Sequence, residues 1–292
     1  MKTNTQVDAI YTDFSKAFDK VDHDLLIMKL NRMGIKHNLL NWIKTYLSNR
    51  TQKVKINGVS SSIINVTSGV PQGSHLGPIL FNVFINDLTT KIKYCKYLLY
   101  ADDMKIYKEL NCINDVELIQ VDINSVQQWC KINFMHLNVD KCSVVTFSKK
   151  LNVINSNYHI DDISLRRKTS IIDLGIKLDT KLNFNEHIDA MNNRGHRMLG
   201  FIKRRAKEFN DPYITKSIYC SLVRSNLEYA SVVWKGAPRL PENHLPERHL
   251  PERHLPEKTF AGKDICRKRH LPERTFAGNF YFFFLCVSIN AL

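Results

Sequence analysis

Apolar and polar positions alternate through the first half of the chain with two periods, one near two residues and one near four. Residues 7–14 (VDAIYTDF) are rich in strand formers and read as a strand. A helix follows Ser15-Lys16-Ala17-Phe18-Asp19. Asp22 is its N-cap, Leu25, Leu26, Met28, Leu30 and Met33 its apolar positions, and Gly34 its stop. Residues 39–47 read as a helix with Trp42, Ile43, Tyr46 and Leu47 inward. The runs 51–56 and 59–66 flank Asn57-Gly58, a strong signal for a two-residue hairpin turn. Residues 114–133 form another helical pattern, with Val116, Ile119, Ile123, Val126 and Cys130 on one face, and 142–147 return as a strand. Two further helices span roughly 186–207 and 212–234. Helices packed on one face of an antiparallel sheet are the expected layers, an α+β arrangement.

The hairpin pattern at 97–107 carries the first chemistry. Tyr97-Leu98-Leu99-Tyr100 and Met104-Lys105-Ile106-Tyr107 enclose Ala101-Asp102-Asp103, which predicts an acidic tip. Adjacent carboxylates repel unless a cation lies between them. An acidic pair can also be an ordinary solvated turn. Asp13, near the end of the first strand, supplies a second acidic position. One Asp at a strand end and two at a hairpin tip would make a three-carboxylate cluster, the oxygen-only donor set of hard divalent cations. Such a cluster suits two-metal, in-line attack on a phosphate.

Between these positions lies SGVPQGSHLGP, residues 68–78, with three glycines and two prolines in eleven residues. Its bare backbone suits close approach to a phosphate or a base. An ordinary loop before a core helix would look the same. The helix is expected after Pro78, where Ile79, Leu80, Val83, Phe84 and Leu88 recur at helical spacing.

Charge sharpens the picture. Lys and Arg number 42 against 28 Asp and Glu, a net +14, which favours a polyanionic partner. Basic residues cluster at Arg166-Arg167-Lys168, at 194–197, at Lys203-Arg204-Arg205 with Lys207, and at Arg267-Lys268-Arg269; each could also be a solvated face. The seven cysteines contain no C-x₂-C pair, so they read as free thiols in a reducing compartment and suggest no zinc site. With no N-terminal targeting segment, and an apolar run at 280–287 too short to cross a bilayer, the expected location is the nucleus and cytoplasm.

The last segment differs in kind. Leu-Pro-Glu recurs at Leu240, Leu245, Leu250 and Leu255, and HLPEKTFAG at His254 returns as HLPERTFAG at His270. Proline every fifth residue forbids a regular helix or central strand, so a disordered low-complexity tail is expected. His244, His249 and His254 are too evenly out of phase to share a face and do not read as a metal site.

Four segments in order, TDFSKAFDKVDH, SGVPQGSHLGPILFNVFINDL, YADD and LNVDKC, closely resemble motifs A, B, C and D of reverse transcriptases from non-LTR retrotransposons of the jockey-like kind. LGIKLDTKLNFNEHI resembles the strand hairpin after the palm, and SLVRSNLEYASVVW the thumb helices. The resemblance covers about residues 5–238. It implies a right-hand polymerase palm at 1–150, a post-palm hairpin and helical thumb at 151–238, and leaves 239–292 as the tail. It implies RNA-directed DNA polymerisation, with an RNA template, a DNA primer, dNTP and two Mg²⁺ ions, or Mn²⁺ in their place. Asp13, Asp102 and Asp103 match the metal-binding triad, with the Phe14 carbonyl as an added ligand. Phe18 matches the gate against a ribose 2′-OH; from the residues alone it could be a core aromatic. Gln72 and Gly73 match the loop against the nascent base pair, Tyr100 the contact with the primer end, and Lys141 the lysine that protonates or holds pyrophosphate.

Family members carry fingers segments and an endonuclease upstream of motif A. The alternative to a polymerase is therefore an inactive palm–thumb remnant that only binds nucleic acid. RNA-directed RNA polymerases and group II intron maturases share the palm logic, but the wording of SGVPQGSHLGP and of the thumb segment favours the retrotransposon group.

Overall fold

The computed structural model describes residues 5–206 and 211–234. β1 (Gln6–Thr12) is the strand expected at 7–14 and is almost wholly buried. A 3-10 turn at Ala17–Asp19 leads into α1 (His23–Arg32). Asp22 caps α1, its side chain accepting the Leu25 N–H at 2.9 Å, and Gly34 ends it at φ +92°. α2 (His37–Leu47) buries Ile43 and Leu47, but Trp42, expected inward, is exposed and stacks on half-buried Tyr46. Residues 43 and 47 form one row along the helix and 42 and 46 the next; the first row meets the core.

The 51–66 hairpin forms in two pieces. β2 (Arg50–Gln52) pairs with β5 (Ile64–Val66), and β3 (Lys55–Ile56) with β4 (Val59–Ser60). Asn57 and Gly58 make its turn at φ +48° and +86°. α3 (Leu76–Ile85) begins before Pro78 rather than after it. Proline fits a first helical turn because its missing N–H has no partner to lose there. Ser74 Oγ accepts the Gly77 N–H at 2.9 Å and supports this earlier start.

β6 (Lys96–Tyr100) and β7 (Asp103–Glu109) form the hairpin expected around the acidic tip, with Tyr100 opposite Asp103 and Ala101 at φ +50°. α4 (Asn114–Ile132) buries the expected Ile119, Ile123, Val126 and Cys130, and Trp129 besides. Next come β8 (Ser143–Ser148), β9 (His159–Ile160), β10 (Ile163–Ser164), β11 (Arg166–Arg167), β12 (Ser170–Asp173) and β13 (Ile176–Asp179). The main sheet runs β11-β8-β1-β7-β6. It is antiparallel except at one edge, where β11 runs parallel to β8; the expected wholly antiparallel sheet is corrected there. The β9–β10 hairpin returns the chain to the start of β8, so β11 runs in the same direction.

One sheet face carries Ile10, Met104, Ile106 and Val144 into a core completed by α1, α3 and α4. Lys29 is buried within it. Its ammonium donates to the Phe84 carbonyl at 2.7 Å and to Asp87 at 2.9 Å, over the rings of Phe84 and Trp129. Burial lowers its pKa, against the pull of Asp87. Asp122 of α4, fully buried, accepts the backbone N–H groups of Lys93, Tyr94 and Cys95 at 2.7–2.9 Å and so anchors the entry to β6.

These elements form a compact unit from Thr3 to Leu182, and a second begins at Asn183. In the second, α5 (Asn185–Arg205) packs with α6 (Pro212–Tyr219) and α7 (Ser225–Glu228). A Cβ on Gly195 would lie 2.9 Å from Leu227, so the glycine admits that side chain. The helix expected over 212–234 is not continuous. A π turn at Cys220–Arg224 joins α6 to α7, and Ala230, at φ +49°, separates α7 from α8 (Ser231–Trp234). The tail and its basic cluster lie outside the described residues, as does Lys207. Among the described residues no helix is long and apolar enough to cross a membrane. Cys95, Cys112, Cys130, Cys142 and Cys220 are free thiols.

Asp122→Ala would leave three backbone donors without their acceptor. Urea unfolding should register a loss of about 3 kcal/mol or more, since bonds to a charged group are the stronger kind. Asp122→Asn, which keeps one acceptor oxygen, should lose less.

Candidate active site

Strand register assembles the acidic residues. β1 pairs with β7 so that Tyr11 faces Lys105 and Thr12 faces Met104, and the next positions in line are Asp13 and Asp103. Side chains alternate along a strand. Met104 enters the helix-covered core, so Tyr11, Asp13, Asp103 and Lys105 belong to the opposite face. A cavity of about 480 Å³ opens there, lined by Asp13, Asp103, Lys105, Lys141, Asp173 and Lys177 among others. The backbone beside Asp13 is well held. Its carbonyl accepts the Asn138 N–H at 2.8 Å, its N–H points to Cys142 Sγ at 3.5 Å, and Thr12 Oγ1 donates to the Met104 carbonyl at 3.1 Å.

The electrostatics are those of crowded acids. The pKa of Asp103 is raised, first by desolvation and then by Asp102, with smaller contributions from Asp173 and Asp13; Lys105 opposes them. As a residue Asp103 is exposed, so its carboxyl is only partly desolvated. Asp13 Oδ2 is shielded from water and has no hydrogen bond of good geometry, although Lys141 Nζ lies 3.4 Å away as an ion pair. Asp102 sits in the turn and does not line the cavity. Among the described residues no three His, Cys, Asp or Glu side chains stand close enough to enclose an ion as they are. Asp13 and Asp103 nonetheless fit a hard divalent cation: their donors are oxygen only, the shielded Asp13 Oδ2 is met only by the Lys141 ion pair and by no well-formed hydrogen bond, and positive charge would relieve the crowding of acids.

The glycine-rich loop packs against the segment after β1. The Gly69 N–H donates to the Val21 carbonyl at 2.7 Å, and the Val70 N–H to the Phe18 carbonyl at 2.9 Å. A Cβ on Gly69 would lie 2.8 Å from the Asp19 backbone, so this close approach requires glycine. Gln72 Nε2 donates to Asp19 Oδ1 at 2.9 Å, and Gly73 turns at φ +79°. Phe18 is half-buried and stacks on Phe81 at 4.2 Å between centroids. The side chain of Phe14 is in the core, which leaves its backbone as the part available to a site. Tyr100 is half-buried at the end of β6.

Asp13, Asp103 and Lys141 thus share one cavity, while Asp102, Phe14, Phe18, Gln72, Gly73 and Tyr100 do not line it. Sequence reasoning missed Lys105, Asp173 and Lys177, which do, and named Lys168 only as part of a basic cluster. Lys105 was legible: it stands two residues after Asp103 on the same strand face. The others depend on where β12 and β13 come to lie.

Residues 2–202 match the sequence profile of the family described as reverse transcriptase (RNA-dependent DNA polymerase). The RNA-directed DNA polymerase from mobile element jockey of Drosophila melanogaster is 32% identical over 186 residues, which are 61% of this chain and 20% of that protein. The probable RNA-directed DNA polymerase from transposon BS of the same species is 32% identical over 195 residues, 64% of this chain and 21% of that protein. The chain therefore spans about a fifth of the length of these curated relatives. Among solved structures, apo telomerase from Candida tropicalis, truncated from its C-terminal domain, aligns with a TM-score of 0.45 at 13% identity, over 63% of this chain and 36% of that one.

The raised pKa of Asp103 has a consequence for stability. An acid whose pKa is higher folded than unfolded favours the fold below its unfolded value, and that contribution is lost as pH rises through the folded value. At neutral pH and without divalent metal, Asp103→Asn should therefore melt at a higher temperature than the parent. The gap should close as pH falls toward the ordinary carboxylate pKa, about 3.9. A melting difference independent of pH would show that charge crowding is not its cause.

Proposed function

The chain belongs to the reverse transcriptase (RNA-dependent DNA polymerase) family, of the jockey-like non-LTR kind, and from that premise we propose that it is the polymerase part of a mobile-element protein, adding dNTP to the 3′-OH of a DNA primer on an RNA template. The observation that carries this reading is the cavity shared by Asp13, Asp103 and Lys141, which follows from the register of β1 against β7. In this reading residues 1–150 are the palm, 151–238 the post-palm hairpin and thumb, and 239–292 an appended tail. The work would fall in the nucleus and cytoplasm.

Asp13, Asp103 and Asp102 would hold the divalent ions, two Mg²⁺ or Mn²⁺, with the Phe14 carbonyl as a further oxygen. Bound there, the ions supply Lewis acidity toward the primer hydroxyl and the triphosphate. The protein's own groups do the rest. Lys141, whose ammonium lies 3.4 Å from Asp13 Oδ2, is suited to hold pyrophosphate charge or give it a proton. The Phe18 ring, braced by Phe81, would crowd a ribose 2′-OH. Gln72 and Gly73 would lie against the nascent base pair, and Tyr100 against the primer end. The net charge of +14 supports backbone contacts to an RNA–DNA hybrid.

Primer extension on an RNA template tests the reading. Asp103→Asn and Asp102→Asn should each lower it about 10³-fold or more, a loss of ~4 kcal/mol in transition-state stabilisation. Hybrid binding should persist and weaken steeply with salt. Salt-sensitive binding with no extension by the parent would instead identify a nucleic-acid-binding remnant.

A companion assay addresses the gate. Phe18→Ala should raise ribonucleotide incorporation at least about tenfold relative to deoxynucleotide, a difference of transition-state binding. Equal discrimination before and after the change would leave Phe18 as a packing residue only.

A further inference from the structure

Beside the acidic pair lies an ion pair that catalysis, as described, does not use. Lys105 Nζ contacts Asp173 Oδ1, and both side chains are more than nine-tenths buried. Lys105 comes from β7, two residues past Asp103, and Asp173 from the end of β12, 68 positions further along the chain. The β12–β13 hairpin presents Asp173 beside its turn, with Leu174 at φ +44° and Gly175 at φ +81°, and Asp173 pairs with Ile176 across it. A leucine in the left-handed region is unfavourable, so the surrounding structure must hold this turn in place.

Where Lys105 stands makes its charge a hazard. Residues two apart on one strand face are separated by about 7 Å, within the reach of a lysine side chain. Lys105 is also directly opposite Tyr11, which itself stands two residues before Asp13. Without a stronger partner, the ammonium would settle against Asp103 or Asp13 and occupy the position a divalent cation needs. The Asp173 carboxylate holds it instead, with the Tyr11 ring 5.8 Å from the ammonium on the other strand. A buried ion pair adds little net stability, because desolvation offsets the attraction. Stability alone is therefore a weak reason for this pair to be here.

We propose that Asp173 is a positioning residue for the acidic site: by binding the Lys105 ammonium it keeps that group from pairing directly with Asp103 and Asp13 and leaves their oxygens open to a divalent cation. The proposal rests on reading Asp13 and Asp103 as metal ligands. It assigns the β12–β13 hairpin a part in the electrostatics of the site as well as in its shape. Lys105 and Asp173 then act as a unit whose removal together should matter less than the loss of Asp173 alone.

The test is Mn²⁺ binding to the full 292-residue chain, read from the electron paramagnetic resonance signal of free Mn²⁺, beside thermal melting of each variant. Asp173→Asn should raise the dissociation constant about tenfold, equivalent to ~1.4 kcal/mol. Lys105→Met should bind as tightly as the parent or more tightly, since it removes the competing cation and leaves an extra acid nearby. The pair Lys105→Met with Asp173→Asn should return to within about threefold of the parent, which also covers the case in which Asp173→Asn alone folds poorly. A merely structural role would weaken binding in both single variants in step with their melting temperatures. Parent-like binding in Asp173→Asn, weakened binding in Lys105→Met, or a double variant no tighter than Asp173→Asn would each overturn the proposal. Asp13→Asn separates the two levels: if the parent shows no Mn²⁺ binding that this change removes, the metal-ligand reading falls and the proposal with it.

Discussion

Thr12 stands opposite Met104, and the candidate site depends on that one pairing. A slip of a single residue between β1 and β7 would turn every side chain of one strand to the other face and send Asp13 toward the helix-covered core. The slip is opposed from both sides, because β1 is a central strand bonded to β7 and to β8. Its main determinant is apolar. Ile10, Met104, Ile106 and Val144 share the face that packs on α1, α3 and α4, and a one-residue slip would no longer bury them together. The carboxylates are carried by strands whose alignment is set on the opposite face.

That division of labour explains how like charges are held close together. The Asp103 pKa is raised, first by desolvation and then by Asp102, with smaller contributions from Asp173 and Asp13. The hydrophobic layer offsets that crowding, with help from fixed backbone bonds on both sides of Asp13. Cations surround the pair on the cavity side, but in different ways. Lys141 is mostly exposed and lies beside Asp13, free in reach to serve a phosphate, whereas Lys105 is buried and held by Asp173. A second constraint shapes the neighbourhood. The glycine-rich loop hydrogen-bonds along the segment from Phe18 to Val21, and Gly69 lets the two backbones approach to a distance no other residue allows. Phe18 is thereby aligned on Phe81 of α3.

Much of this was legible in the residues themselves, because local rules and the tertiary structure agree. The strand at Asp13, the capped helix after Asp22, the Asn57-Gly58 turn and the acidic hairpin all formed where period and turn chemistry predicted them. The departures have physical causes. Trp42 belongs to the helical row beside the buried one, and a pattern of four apolar residues does not say which row meets the core. The start of α3 precedes Pro78 because the Ser74 hydroxyl provides a cap that the apolar spacing does not display. The parallel pairing of β11 depends on the route taken by the β9–β10 hairpin, which no two-residue alternation encodes.

The sequence by itself determined most of the elements, the family and the acids proposed to carry its chemistry, since each rests on neighbours within a few residues or on a motif read as a string. Only the tertiary structure decided that Asp13 and Asp103 would face one cavity while Asp102 stays in the turn, and that Lys105 would be bound by an aspartate 68 positions away. Those outcomes turn on long-range register and on which sheet face a later hairpin covers. Both are set by the burial of apolar surface across the whole unit and not by the residues adjacent to the charges.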